Sequence, residues 1–161
     1  MTRKALYLTA VLSIVSALAF AADKADARVA KQLDKLGIDY STTDSNNYSI
    51  DKDLDKGRTQ TVYIMSKTET NGGLEIREIW SNAGNFKTEP TNDQMMALFE
   101  DNNSEKIGAW ALESSDDGSY LAYFSVKVPT YIRDKDLSDL IDFTATVADD
   151  MELKLFNADD N

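Results

Sequence analysis

The chain of 161 residues has no histidine and no cysteine, and only two prolines. Each absence removes a class of chemistry. Without imidazole or thiol there is no Ser-His-Asp or Cys-His nucleophile as usually built. Zinc sites with imidazole or thiolate ligands are excluded too, and with no disulfide available the fold must rest on packing. Basic residues are scarce: 17 Lys and Arg stand against 28 Asp and Glu, a formal charge of −11. That balance repels phosphate backbones and anionic lipid head groups, so it argues against nucleic acid and membrane surfaces as partners and suits a basic one. Carboxylates, Lys, Tyr, Ser and Thr remain for catalysis, the set from which glycosidases build paired carboxylates. Here the acids are spread along the chain and mark no pair. No catalytic residue, cofactor or metal site is assigned.

What is present begins with a leader. Arg3 and Lys4 precede an uncharged stretch from Ala5 to Phe20, shorter than the ~20 residues that cross a bilayer. Ala19-Phe20-Ala21 follows with small residues at the positions signal peptidase reads, so cleavage is expected between Ala21 and Ala22. Residues 1–21 are thus read as a signal peptide and 22–161 as a single domain working in the periplasm or outside the cell. A chain of that length buries roughly 68% of its unfolded surface, enough for a core without cross-links.

Along the remaining chain, Val29, Leu33 and Leu36 recur at helical spacing over Asp26 to Leu36, and Gly37 can end that helix in a left-handed conformation. Strands are expected at Tyr48–Leu54, Thr59–Lys67 and Leu74–Ser81, the last two separated by the tight turn Asn71-Gly72-Gly73. Leu74, Ile76 and Trp80 share one phase of the third strand. Thr91 with Gln94 has the form of a capping box before a helix at Asn92–Asn102, with Met95, Leu98 and Phe99 as its apolar face. Strands at Ile107–Glu113 and Tyr120–Val128 flank the turn Asp116-Asp117-Gly118. A long helix from Asp136 to Phe156 carries Leu137, Leu140, Ile141, Thr144, Val147, Met151 and Leu155 at three-to-four spacing. The order α-β-β-β-α-β-β-α predicts an α+β domain with an antiparallel sheet.

Asp51, Asp53 and Asp55 with Gly57 place carboxylates at alternate positions, as a calcium loop does. The EF-hand form needs glycine where Lys56 stands and glutamate where Val62 stands, so the triplet reads as a strand end and turn with solvated acids. Asp116-Asp117 and Asp149-Asp150 read as turn and helix-surface acids. Trp80, Trp110, Tyr123 and Phe124 admit two readings: they fill the core beneath the helices, or they line a groove on the sheet for a partner. Met95 fits the inward stripe of its helix, whereas Met96 points elsewhere and marks either a partner contact or chance exposure.

These segments, and in particular Leu98-Phe99-Glu100-Asp101-Asn102-Asn103 followed by Ile107-Gly108-Ala109-Trp110-Ala111-Leu112, resemble the YbjN family over about Lys24 to Phe156. That family is labelled a sensory transduction regulator, a name that specifies no chemistry, and its domain shares its fold with type III secretion chaperones. The resemblance implies a chaperone-like α+β sheet, dimerisation and a protein or peptide ligand. Those chaperones act in the cytoplasm and this chain opens with an export signal, so only the fold carries over. Three functions stand side by side: a non-enzymatic exported binding or regulatory protein, with Trp80, Trp110, Tyr123 and Met96 as its candidate contacts; a carboxylate-based hydrolase of envelope glycans; and an envelope stress or structural protein without a specific ligand. The first is the expected one.

Overall fold

The computed structural model describes residues 24–156; the expected leader at 1–21 and the acidic tail at 158–161 lie outside the described residues. Helix α1 (Ala27–Leu36) is capped by Asp26, whose side chain accepts from the Arg28 backbone N–H. It ends at Gly37 (φ 67°), where the Ile38 N–H returns to the Leu33 carbonyl. Strands β1 (Ser41–Thr42), β2 (Tyr48–Asp53) and β3 (Thr59–Ile64) follow, then β4 (Glu69–Asn71) and the long β5 (Leu74–Phe86). Helix α2 (Asn92–Ser104) opens on the expected capping box: Thr91 Oγ1 accepts from the Gln94 N–H, and the Thr91 N–H donates to Gln94 Oε1 at 2.9 Å. Strands β6 (Ala109–Ser114) and β7 (Tyr120–Pro129) precede helix α3 (Asp134–Phe156).

All strand pairs are antiparallel, in the order β1-β2-β3-β5-β7-β6, and β4 also pairs with β5. The α+β class with an antiparallel sheet holds. The element order gains two short strands, β1 and β4, which at two and three exposed residues carry no apolar alternation to announce them. β5 runs five residues past its expected end at Ser81. A register shift between Asn82 and Gly84 inserts Ala83 as an extra residue, so the inward phase moves from odd to even numbers and Phe86 is buried. The Asn82 Oδ1 accepts the Gly84 N–H at 2.7 Å, satisfying the bulge. Gly84 (φ 141°) is needed there: a Cβ would lie 2.5 Å from the Phe156 ring that packs over it from α3.

One phase of the sheet faces the helices. Tyr48, Ile50, Val62, Ile64, Ile79, Phe124, Val126 and Val128 meet Val29 and Leu33 of α1, Leu98 of α2 and Leu137, Ile141, Ala145 and Met151 of α3 in a single core. Polar side chains in that phase are bonded save for one atom: Gln60 donates through Nε2 to the Asn82 carbonyl at 3.1 Å, but its buried Oε1 has no partner among the described residues. Arg77, 5% exposed on β5, donates to Asp26 and to the Met65 and Ser66 carbonyls; Ser81 Oγ donates to the Thr61 carbonyl at 2.7 Å. The Asp149-Asp150 pair does not behave as a surface pair. Asp149 is buried and accepts Arg58 Nε at 2.7 Å, because α3 lays that flank against the turn before β3, while Asp150 stays exposed. Asp117 does its expected work in the β6–β7 turn, accepting from the Ser119 N–H at 3.0 Å.

Candidate functional site

The strand phase pointing away from the helices carries the site. Every buried hydrophobic residue of the strands belongs to the inward phase, so the opposite phase (Thr61 and Tyr63 on β3, Ile76, Glu78 and Trp80 on β5, Tyr123 and Ser125 on β7) is only half covered. Register places Tyr63 opposite Trp80 and Trp80 opposite Ser125, with Tyr123 one step diagonal. The result is an aromatic ridge across three strands. Tyr63 stacks on Trp80 with ring centroids 4.4 Å apart and 21° between planes, and Tyr123 meets Trp80 edge-on at 5.6 Å. The indole N–H of Trp80 donates to Met65 Sδ at 3.3 Å, which holds the ring in place on this face.

Two hollows adjoin the Tyr123 end of this ridge. One of about 180 Å³ is lined by Met65, Lys67, Glu69, Ile76, Glu78, Tyr123 and Lys127. The other, about 360 Å³, lies over the small side chains of β6 and β7 (Ala109, Ala111, Ser125) and shares Glu78, Tyr123 and Lys127 with the first. Burial pushes the phenols of Tyr63 and Tyr123 up; the charge of Asp51 adds to this at Tyr63, and those of Glu78 and Glu113 at Tyr123. Acidic groups thus stand beside both phenols, while Lys67 and Lys127 line the hollow next to Tyr123. Asp51 accepts from Thr61 Oγ1 at 2.8 Å, and Glu78 from the Ser125 hydroxyl.

Of the four residues proposed from sequence as partner contacts, Trp80 and Tyr123 bring their rings together on this face, Trp110 reaches it only as part of the wall of the larger hollow, and Met96 lies elsewhere. Trp110 is a correction to that grouping. It pairs with Phe124 in the inward phase, is 7% exposed, and donates its indole N–H to Asp101 of α2 at 2.7 Å. An even-numbered position on β6 faces the helices, so its ring serves the core. Met96 lies on α2, 53% exposed, with Phe99 one turn on at 62%. Phe99 therefore leaves the apolar face assigned to it, and Leu98 alone of that helix is buried. The part Tyr63 plays in the ridge depends on its cross-strand neighbour Trp80, which alternation along β3 does not identify. Asp51, Asp53 and Asp55 do not converge. The first two flank Lys52 on β2, the third sits in the turn beyond it, and among the described residues no three acidic groups are placed to hold a metal ion.

An antiparallel sheet whose one face packs three helices while the other bears a half-covered aromatic ridge is an open-faced α+β domain. No family model matches the chain, and no curated protein sequence does. Among solved structures it is similar to the crystal structure of YbjN from E. coli, itself described only as a candidate transcription regulator, at 10% identity and a TM-score of 0.50. The match covers 78% of this chain and 86% of that one. The likeness is one of fold.

Proposed function

We propose that this chain is an exported, non-enzymatic binding or regulatory protein that recognises a peptide or protein on the helix-free face of its sheet. The observation that carries the reading is the ridge of Tyr63, Trp80 and Tyr123, three large rings only half buried on the helix-free face and outside the core cluster. Large aromatics with a polar rim are the composition of interface hot spots. The regulator's description of the E. coli structure supports a binding role at the coarse level, and the chaperone-like form of the fold belongs to the same reading.

The experiment is a capture from envelope extract with residues 22–161, run beside Tyr123→Ser and, as a surface control, Tyr131→Ser. Tyr131 is 70% exposed in the turn after β7 and lines neither hollow. Partners held by the parent and the control but lost with Tyr123→Ser support the reading; an identical set with all three removes it.

A second reading, self-association, is favoured by Met96 and Phe99, exposed one turn apart on α2. Light scattering on the parent and on a Met96→Glu, Phe99→Glu variant decides it: a dimer that the variant abolishes supports it, and a monomeric parent ends it.

A further inference from the structure

We infer that the ridge takes a basic polypeptide segment, laid in extended form across the strands with a lysine or arginine side chain beside Tyr63. This rests on the binding role proposed above and names the chemistry of its partner. The argument is charge complementarity around a ring surface. Asp51 lies diagonally across β2 from Tyr63, since it pairs with Thr61 while Tyr63 pairs with Ser49. Glu78 stands two residues from Trp80 on the same phase of β5, and Glu113 on β6 is diagonal to Tyr123. The Thr61 hydroxyl is the hydrogen-bond partner of Asp51, which leaves that carboxylate its charge to offer, whereas Glu78 accepts from the Ser125 hydroxyl and stands opposite Lys127 in the register, so its charge is partly offset.

A cation placed over a tyrosine face gains from the ring's quadrupole and gains more with a carboxylate beside it. Tyr63 uses one face against Trp80 and has the other toward β2, where Asp51 stands. The ridge spans two strand spacings, roughly 10 Å, which an extended segment covers in about three residues. Its middle residue would then lie over Trp80. The chain as a whole carries −11, so a basic segment is also drawn toward it at long range. Lys127, opposite Glu78 on β7, and Lys67 line the hollow beside Tyr123 and mark the side on which a second cation would be repelled, so the cation is placed at the Tyr63 end beside Asp51.

The test uses the two indole N–H resonances, one for Trp80 on the ridge and one for Trp110 in the core. Capped peptides alternating arginine with serine, glutamate with serine, and leucine with serine are titrated in turn. The arginine peptide is expected to shift the Trp80 signal in a saturable, salt-sensitive way and to leave Trp110 in place. Asp51→Asn with Glu78→Gln should then weaken binding about tenfold, and Tyr123→Leu by a similar factor. An unmoved Trp110 signal shows in each variant that the fold is intact. If only the leucine or glutamate peptide shifts Trp80, the ridge binds peptides but the basic partner is wrong. If no peptide moves Trp80, the basic partner and the peptide-binding face are both overturned.

Discussion

Arg77 on the central strand and Asp26 at the head of α1 form an ion pair across 51 positions of sequence, with the Arg77 side chain 6% exposed and that of Asp26 15%. Asp26 also caps α1 and pairs with Arg28, which reaches on to Glu75 at 2.7 Å. The start of α1 is tied to β5 by charge as well as by Val29 and Leu33.

Acid should loosen this tie. The guanidinium of Arg28, and after it that of Arg77, hold the Asp26 carboxyl far below its usual range, and Arg28 with the Thr68 and Thr130 hydroxyls lowers Glu75 to about 2. A carboxyl depressed in the folded state contributes stability above its unfolded pKa of about 3.9, and that contribution is lost as pH falls toward the folded value. Thermal unfolding midpoints should therefore drop from about pH 5 downward. Asp26→Asn should lower the midpoint at neutral pH and flatten its acid dependence; an unchanged acid limb would contradict the assignment.

The bulge in β5 sets a second expectation. Gly84→Ala drives a Cβ into the Phe156 ring and asks alanine to hold a positive φ. A loss of about 2 kcal/mol in denaturant unfolding is expected. Combining it with Phe156→Ala should cost less than the sum of the two single changes, because the clash disappears with the ring.

Arg58 and Asp149 provide a third. Their side chains are 11% and 12% exposed, and Arg58 also donates to the Asp149 carbonyl at 2.9 Å. Arg58→Met leaves a carboxylate in the wall of the core and should cost about 3 kcal/mol. Adding Asp149→Leu should restore much of that loss, which equilibrium unfolding of the pair measures directly.

The leader supplies the fourth. Intact mass of the protein recovered from the envelope of a bacterial host should begin at Ala22. Ala19→Lys puts a long charged side chain where the peptidase requires a small one, and should leave the precursor in the membrane fraction. A full-length parent recovered from cytosol would remove the proposed export.

Much of the architecture was legible in the sequence because its signals are local. The capping box at Thr91, Gly37 after the first helix and the seven-position stripe of α3 each depend on residues within one or two turns. The candidate site was legible only in part. On β5 the phase holding Leu74, Ile76 and Trp80 is more apolar than the one holding Arg77, Ile79 and Ser81, yet the second faces the helices. Ile79 lies opposite Ile64 and Val126, and the strong apolar phases of β3 and β7 carry β5 with them. Trp110 goes inward by the same rule, through Phe124.

The amino-acid sequence by itself determined the three helices and the main strands, though not β1, β4 or the far end of β5, that no thiol or imidazole chemistry is open to the chain, and that its net charge is negative. Only the tertiary structure decided which face of the sheet each aromatic joins. Alternation along a strand defines two faces but does not label them; the label comes from the register with neighbouring strands and from where the helices pack. That choice brought Tyr63, Trp80 and Tyr123 together at the surface and sent Trp110 to the core.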